Sequence, residues 1–418
     1  MRRPLHPLRL SCSILFALVL AGCVGPEGPT GEIGPDGVRG PAGMDGQNGE
    51  DGTDGSDGQD GTDGQDGQDL TIPDFVGSDV CGACHEEQYN KQIRSGHAFA
   101  MLATGGAAPA PSAQFQGDYP SAPPVGLAWS DVSYVIGGWG WKVQFVDTDG
   151  YLFTSGAVGP FVAAQYNIED GSWVDWQAGT APGTLATDCA TCHATAWSID
   201  GNQGGLPGLV GTWTEQGVRC EECHGAGGTH VEFPLQVRMR IERDAEACGG
   251  CHSQGPEARI PASDGFGHNA QQWNEMANSK HRALDCVDCH DPHSSALYSD
   301  QDWNPGQGII SECASCHFRE AANMDSVAMD GFACTECHMP PVTRSALGAG
   351  VVGDVATHLF AINTDPDAPQ FFTEGGQEFM SPFLTLDYAC RRCHSATGFA
   401  FEKTDGELQA TADGFHSQ

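Results

Sequence analysis

The sequence predicts a mainly α-helical body with extensive loops, organised around covalently bound groups and containing a small β-rich insert, with a Gly-x-y segment ahead of it. Three observations support this prediction. The motif Cys-x-x-Cys-His occurs eight times and accounts for sixteen of the eighteen cysteines. Glycine occupies every third position from Gly25 to Gly67. Residues 86–188 contain no cysteine and include runs of aromatic and β-branched residues.

The eight motifs share one spacing, with a histidine directly after the second cysteine. They are Cys81, Cys84 and His85; Cys189, Cys192 and His193; Cys220, Cys223 and His224; Cys248, Cys251 and His252; Cys286, Cys289 and His290; Cys313, Cys316 and His317; Cys334, Cys337 and His338; and Cys390, Cys393 and His394. Zinc sites and redox disulfides also use Cys-x-x-Cys, but neither requires the invariant histidine. The pattern is that of c-type haem attachment, in which both thiols bind the haem covalently and the histidine ligates its iron. The sequence therefore predicts eight c-type haems.

Residues 1–22 have the features of an export signal. Three arginines precede the apolar run Ile14–Leu20, which is too short to span a bilayer as a permanent helix. The run ends in Leu-Ala-Gly-Cys23, which resembles the lipobox of bacterial lipoproteins, so we expect Cys23 to be lipidated. The alternative is ordinary cleavage, which leaves Cys23 as a free thiol. Lipidation predicts an outer-membrane lipoprotein that contacts the membrane through its anchor alone, exposed at the cell surface.

Residues 23–69 are predicted to be a collagen-like stalk or linker. Glycine recurs fifteen times at every third position, and only glycine fits at the crowded axis of a collagen triple helix. Prolines occur only in the early triplets, and twelve acidic residues face the single base Arg39. The charge opposes association, so a trimeric stalk and a single self-repelling linker remain equal alternatives. Either one is a spacer.

Residues 70–418 are predicted to form one domain in which the haems serve as local cores. The whole chain has a formal net charge of −36, which excludes nucleic acid and anionic lipid surfaces as partners. The expected partners are other cytochromes or redox proteins and an external electron acceptor or donor. Formation of a homotrimer through the stalk, or of a filament, is a further expectation.

Residues 125–186 are predicted to be the β-rich insert. The segments 133–146 and 151–154 are rich in aromatic and β-branched residues and flank the turn Asp147-Thr-Asp-Gly150, which is typical of a hairpin. This insert can act as a lid packed on the first haems or as a docking platform, and the lid is the preferred interpretation.

Seven histidines outside the motifs and the signal are candidate distal ligands. They are His97, His230, His268, His281, His293, His358 and His416. His293 follows His290 by three residues, a span of at most about 11 Å of chain, which is too short to reach the opposite face of the same iron. His293 should therefore ligate a different haem, and the same argument applies to His230 after His224. His281 continues the helical spacing of a stripe that begins at Trp273, so its ring is expected to point inward.

Several segments resemble the multihaem cytochrome c superfamily that includes hydroxylamine oxidoreductase and its tetrahaem electron acceptor. They are residues 76–85 with the following Ser95-Gly96-His97, residues 211–225, 279–293, 337–341 and 353–358. The resemblance implies that His97, His230, His281, His293 and His358 are distal ligands. It also implies haems in stacked and perpendicular pairs that form a continuous conduit.

Two classes of function are consistent with these features. The first, which is favoured, is electron transfer through closely spaced bis-histidine haems, in extracellular or outer-membrane electron transfer. The second is an octahaem oxidoreductase that acts on a small nitrogen or sulfur compound at one haem with an open face. Seven spare histidines for eight irons leave that second reading open, and methionine, lysine or a neighbouring subunit's histidine are alternatives for the eighth ligand. No motif has the Cys-x-x-Cys-Lys form of pentahaem nitrite reductases.

Deletion of residues 25–69 should leave the haem spectrum unchanged, because the stalk contains none of the predicted haem ligands. Its oligomeric state or its reach from the cell surface should change. Absorption spectra and size-exclusion chromatography of the truncated and full-length proteins check this expectation. Loss of haem loading in the truncated protein would show that stalk and body are not separate.

Overall fold

The computed structural model describes residues 74–109, 119–156, 163–298, 308–324 and 331–417. The chain divides into two units, Met1–Asp66 and Gly67–Gln418, and every described residue belongs to the second. The predicted signal, Cys23 and the Gly-x-y segment lie outside the described residues. None of the helices within the described ranges is both long and apolar enough to cross a membrane.

The helices in the described ranges are short, with none longer than the eight residues of the last one. They are α1 Ser78–Gly82, α2 Glu86–Gln92, α3 Ala190–His193, α4 Cys220–His224, α5 Gly228–Glu232, α6 Ala245–Gly249, α7 Gln272–Asn278, α8 Phe318–Met324, α9 Cys334–His338, α10 Leu386–Cys390 and α11 Asp405–Ala412. Six of them carry part of a Cys-x-x-Cys-His motif. The helices therefore serve mainly to shape the motifs.

The strands outnumber the helices in the same ranges. They are β1 Met101–Ala103, β2 Val132–Gly137, β3 Lys142–Asp147, β4 Gln165–Asn167, β5 Trp173–Val174, β6 Ala194–Thr195, β7 Glu215–Gln216, β8 Pro261–Ser263, β9 Phe266–His268, β10 Pro341–Arg344, β11 Val355–Ala356, β12 Ile362–Asn363, β13 Phe371–Glu374, β14 Gln377–Met380 and β15 Leu384–Thr385. The strands form two larger sheets and two sheets of two strands each, β6 with β7 and β12 with β15.

The first large sheet is an antiparallel meander in the order β1-β2-β3-β4-β5. Strands β2 to β5 lie in the predicted insert, while β1 joins from the segment before it. The main reversal occurs between Gly137 and Lys142 rather than at Asp147–Gly150, and Gly137 and Gly138 have φ values of 82° and 103° that favour glycine. A second reversal follows at Asp147, whose carboxylate accepts hydrogen bonds from the N–H groups of Asp149 and Tyr151.

The core of this sheet is formed by its alternating inward residues. Val135, Val143 and Phe145 are fully buried and pack with the partly buried rings of Trp129 and Trp173. On the other side, a second cluster joins the sheet to the Cys189 motif. It comprises Met101, Ile136, Val146, Leu152, Ala190, Ala194, Leu209 and Trp213. The insert therefore packs directly beside α3, which carries Cys192 and His193.

The second large sheet has the order β11-β10-β9-β8-β14-β13, with β9 and β10 parallel and the other neighbours antiparallel. Its two hairpins close through two-residue turns, Asp264-Gly265 and Gly375-Gly376, in which all four residues have positive φ. Such turns match the twist of the flanking strands. The sheet packs on a buried cluster that includes Val342, Leu359 and Met380.

The prediction of a mainly α-helical body is therefore wrong, although the loops and the β-rich insert are present. Each motif requires only one helical turn, so most of the chain between motifs is not helical. Buried backbone N–H and C=O groups still need partners, and in these connecting segments they pair across strands. The Asp-Gly and Gly-Gly turns were the sequence signals that could have revealed the second sheet.

Gly267 on β9 should not tolerate alanine, because a Cβ there would lie 2.5 Å from Sδ of Met380 and 2.9 Å from Oγ1 of Thr343. Both neighbours are buried, so Gly267→Ala should lower the free energy of unfolding by about 1–3 kcal/mol. The urea midpoint of the haem-loaded protein measures this effect. Gly406→Ala on α11 is the matched control, since a Cβ there meets no atom within 4 Å. Equal midpoints for both variants would contradict the packing of β9 against β10 and β14.

Candidate haem sites

Each Cys-x-x-Cys-His motif forms one turn of helix. In six motifs the histidine N–H donates to the carbonyl of the first cysteine at 2.8–3.0 Å, as from His85 to Cys81 and from His317 to Cys313, while α4 and α9 cover the other two motifs. Residues at i, i+3 and i+4 share one face of a helical turn. The two thiols and the imidazole therefore lie on one side, which is the arrangement that a doubly attached haem requires.

All sixteen motif cysteines are free of disulfides. Their thiols are thus available for thioether bonds, as c-type attachment needs. Within the described ranges, no group of three or more histidine, cysteine or acidic side chains converges as a metal cluster. The donors are arranged in a different way, as pairs of imidazoles.

Six motif histidines each lie opposite a histidine from a distant part of the chain. The ring centroids are separated by 6.3 Å for His85 and His230, 6.2 Å for His224 and His293, 6.1 Å for His252 and His97, 6.2 Å for His290 and His358, 5.8 Å for His317 and His281, and 5.8 Å for His338 and His416. We call these the six histidine pairs. His293 lies opposite His224 rather than His290, and His230 lies opposite His85 rather than His224.

The spacing within the pairs fits one metal ion between two imidazoles. A metal–nitrogen bond to histidine is about 2.0 Å, and an imidazole nitrogen lies about 1 Å from its ring centroid, so two rings on opposite faces of one ion have centroids about 6 Å apart. The six centroid separations lie between 5.8 and 6.3 Å. They are the geometry expected for two axial ligands.

Hydrogen bonds fix the orientation of many of these imidazoles. Nδ1 of the motif histidines His193, His224, His338 and His394 lies 2.6–2.9 Å from a backbone carbonyl oxygen, and Nδ1 of His252 lies 3.1 Å from Oε1 of Gln272. An imidazole that donates from Nδ1 keeps its Nε2 lone pair for a metal. These hydrogen bonds from Nδ1 therefore select the tautomer that ligation requires.

Two of the opposing histidines lie deep in the body. Burial, followed by the nearness of His252, lowers the pKa of His97 to about 4, and burial with the nearness of His290 lowers that of His358 to about 4. His97 is nevertheless accessible to solvent. Both imidazoles are neutral at physiological pH, as ligation requires.

A buried carboxylate holds the segment that carries His358. Glu275 on α7 is 1% exposed and accepts hydrogen bonds from Thr343 Oγ1 at 2.9 Å, Thr357 Oγ1 at 3.0 Å and the His358 N–H at 2.6 Å. Burial raises the pKa of Glu275. This positioning group was missed at the sequence level, where nothing distinguishes Glu275 from an exposed helical glutamate.

Three histidines form no such pair within the described residues. They are His193 and His394 of the motifs, and His268 among the predicted distal ligands. His268 ends β9 beside Arg344, whose charge, after burial, lowers the pKa of His268. Burial lowers the pKa of His193, the hydrogen bond to the carbonyl of Ala100 opposes this effect, and the nearness of His252 and then of Lys142 lowers the pKa further.

The expectation that His281 lies on a helix with Trp273 is wrong. Helix α7 ends at Asn278, and His281 lies in the turn that follows. Its ring still points inward, with its centroid 4.3 Å from the ring of Phe360. The apolar spacing that begins at Trp273 therefore predicted the direction of the His281 ring correctly, but it did not predict where the helix ends. The helix ends at Asn278, and Ser279 is its C-cap.

Neighbouring motifs contact one another through their cysteines. The nearness of Cys251 lowers the pKa of Cys192, and the nearness of Cys286 lowers the pKa of Cys248. Further thiol contacts or electrostatic interactions join Cys81 with Cys220, Cys223 with Cys248, Cys289 with Cys316, Cys313 with Cys334, and Cys337 with Cys393. The motifs therefore form one connected series that begins at Cys81 and passes through those of Cys220, Cys248, Cys286, Cys313 and Cys334 to Cys390. The Cys189 motif branches from the Cys248 motif.

Comparisons with known proteins agree with this geometry. The family model described as collagen triple helix repeat matches residues 20–70, and the one described as cytochrome c554 and c-prime matches residues 173–225. The C-type polyheme cytochrome OmcC of Geobacter sulfurreducens is 28% identical over 174 residues, which are 38% of this chain and 21% of OmcC. The multiheme cytochrome MtrA of Shewanella baltica is 23% identical over 250 residues, which are 51% of this chain and 68% of MtrA.

The octaheme sulfite reductase MccA of Wolinella succinogenes has a similar fold. Its solved structure superposes with a TM-score of 0.54 at 19% identity, covering 82% of this chain and 67% of that chain. A sequence comparison with the same protein gives 26% identity over 194 residues, which are 36% of this chain and 27% of MccA. The chain thus spans about a fifth of OmcC and about a quarter of MccA in sequence. The repeated attachment motif, the paired imidazoles and these likenesses all support one conclusion: the chain is similar to multihaem cytochromes c that bind c-type haem, and it carries a collagen-like segment ahead of that part of the sequence.

Proposed function

We propose that the chain holds eight c-type haems and conducts electrons along them. The observation that carries this proposal is the set of six histidine pairs, each of which joins a motif histidine to a second imidazole about 6 Å away. An iron with an imidazole on both faces has no free position for a substrate, so its role is to exchange electrons. The thiol contacts between neighbouring motifs support a continuous path.

The ligands in this proposal are residues of this chain. The sixteen motif cysteines attach the haems, and the eight motif histidines are the proximal ligands. The distal ligands are His97, His230, His281, His293, His358 and His416, in the pairs given above. His268 is not a distal ligand in this assignment, since the described residues place no motif histidine opposite it.

The protein acts outside the cytoplasm in this proposal. The export signal at residues 1–22 and the lipobox-like cysteine Cys23 support an outer-membrane lipoprotein, and residues 25–69 provide a spacer. Its partners are redox proteins and an external electron acceptor or donor. The net charge of −36 favours partners with a basic docking surface, and association should weaken as salt increases.

A reductase is the second candidate function, and one observation favours it. His193 is anchored by its Nδ1 to the carbonyl of Ala100 at 2.9 Å, but the described residues place no imidazole opposite it. The ammonium of Lys142 lies nearby, and its Nζ donates to the carbonyl of Ser345 at 2.7 Å. An open iron face beside a cation could bind a small oxyanion. MccA, the relative with the same overall fold, is named as a sulfite reductase.

Electron paramagnetic resonance of the oxidised protein should show mainly low-spin iron, because six histidine pairs supply two strong-field ligands each. The ring planes differ by 9° for His224 and His293 but by 68° and 72° for the pairs of His317 and His252. Parallel imidazoles give rhombic spectra and perpendicular ones give strongly anisotropic spectra, so both forms should appear. A spectrum dominated by high-spin iron would contradict the paired assignment.

A high-spin signal from one or two of the eight irons is expected from the His193 and His394 sites. If sulfite or nitrite shifts this signal and also reoxidises the reduced protein with turnover, the reductase is the correct function. If the anions bind without turnover, electron transfer remains the proposed function.

The Lys142→Met variant tests the His193 site itself. Loss of the ammonium should weaken anion binding there while leaving the low-spin signals unchanged.

Removal of the Cys286 motif should divide the conduit. In a Cys286→Ala, Cys289→Ala variant, a chemical reductant coupled to one end should reduce only the haems on that side rapidly, because tunnelling rates fall exponentially with distance. Stopped-flow absorbance measures the amplitude of the fast phase. The matched control, Cys390→Ala with Cys393→Ala, removes the terminal haem and should leave the other seven reducible in one fast phase. The same fast amplitude per remaining haem in both variants would contradict a serial path.

A further inference from the structure

The opposing histidines differ in what their Nδ1 atoms contact. Nδ1 of His230 lies 2.7 Å from the carbonyl oxygen of Val237, and Nδ1 of His293 lies 3.1 Å from Oδ1 of Asp291. Nδ1 of His281 and Nδ1 of His416 are buried and have no hydrogen-bond partner. The first two belong to pairs with early motifs, and the last two belong to pairs with late motifs.

His358 is an intermediate case. Its Nδ1 is buried without a hydrogen bond of normal geometry, although the carbonyl of Ala356 is close enough to raise its pKa slightly. The carboxylate of Glu275 is 3.9 Å from the same atom, which is too long for a hydrogen bond. Among the opposing histidines, those that face motifs before Cys286 include His230 and His293, whose Nδ1 atoms have an acceptor. Those that face the Cys286 motif and later ones, His358, His281 and His416, have none of normal geometry.

A hydrogen bond from Nδ1 changes the electron density of the ligand. An imidazole that donates to a carbonyl or carboxylate is a stronger electron donor through Nε2, and it stabilises the oxidised iron. An imidazole with no acceptor is a weaker donor, so the reduced iron is relatively favoured. Since all six pairs use the same two ligand types, these contacts are among the remaining means of setting their potentials.

Two pairs give the strongest contrast. At the His224–His293 pair, His224 donates to the carbonyl of Arg240 at 2.7 Å, and His293 donates to the carboxylate of Asp291. Lys91 lies 3.3 Å from the other oxygen of that carboxylate, which supports the ionised state of Asp291.

At the His281–His317 pair, neither imidazole has a comparable acceptor. His281 is unpartnered and packs against the ring of Phe360, and Nδ1 of His317 is 4.0 Å from the nearest oxygen of Glu320. An apolar ring beside the ligand also disfavours the more highly charged oxidised form.

We propose that the site between His281 and His317 has a higher reduction potential than the site between His224 and His293, and that electron transfer between these two sites therefore runs toward the His281–His317 site. This inference rests on the proposed function and adds a direction to it. A reduced redox protein gives one electron to an oxidised iron. Each transfer oxidises one iron and reduces the next, until an oxidised acceptor takes the electron. No bond is formed or broken.

The Asp291 carboxylate provides the first test. Asp291→Asn removes the negative charge that His293 faces, so the potential of the His224–His293 site should rise. Lys91→Met is the matched control, because it removes the neighbouring cation but keeps the carboxylate, and it should lower that potential or leave it unchanged. Redox titration of the haem-loaded protein, followed by paramagnetic resonance, measures both. An equal upward shift in the two variants would overturn the role of the carboxylate.

Phe360 provides the second test. Its φ is 59°, a left-handed conformation that asparagine tolerates well, and its carbonyl contact to His338 does not depend on the side chain. Phe360→Asn places a polar group beside His281, so the potential of the His281–His317 site should fall. Phe360→Leu keeps the site apolar and should shift it less. A larger shift in the leucine variant would overturn the proposal.

The two variants also assign the wild-type titration. The component that moves in Asp291→Asn belongs to the parallel pair with the rhombic spectrum. The strongly anisotropic component that moves in Phe360→Asn belongs to the His281–His317 pair, because the other pair beside Phe360, His290 with His358, has ring planes that differ by only 38°. The proposal requires the second component to be reduced first in the wild-type protein. Reduction in the opposite order, in a protein that still conducts, would refute the direction alone. Failure to conduct would instead refute the proposed function, whatever the order of the potentials.

Discussion

The structure depends on one local constraint, the helical turn of each Cys-x-x-Cys-His motif. The hydrogen bond from the histidine N–H to the first cysteine carbonyl closes the turn and places two thiols and an imidazole on one face. A covalently held haem then provides a large apolar surface at each motif. The polypeptide does not need a single continuous core, and its buried clusters are accordingly small and separate. The sheets fill the connections between the motifs.

Much of the site could be predicted from the sequence because its rules are local. Spacing alone identifies the attachment cysteines, and chain length excludes His293 as the partner of His290. Counting the histidines outside the motifs identifies those that are available as the second ligand of an iron. The pairing itself depends on tertiary contacts between distant segments, such as His97 with His252. No periodicity or motif in one sequence specifies which of them meet.

The fold was predicted less well, for two reasons. The motifs dominate the sequence pattern, and each one is helical, which suggested a helical body. The strands of the second sheet are only two to four residues long, too short for alternation to be clear. The end of α7 at Asn278 was also missed, because the apolar spacing continues into the turn that carries His281.

The wide separation of the paired histidines along the chain has a consequence for biogenesis. In the export proposed for this chain, the polypeptide crosses the membrane with its amino end first, so His85 is delivered before His230, and His338 before His416. Under the proposed ligand assignment, the irons held by His85, His224, His290 and His338 would therefore wait for a later segment to supply the second imidazole. Those held by His252 and His317 would instead meet His97 and His281, which precede them in the chain. Under the same assignment, the His338 site would be completed only when His416 arrives, after every attachment motif has crossed the membrane.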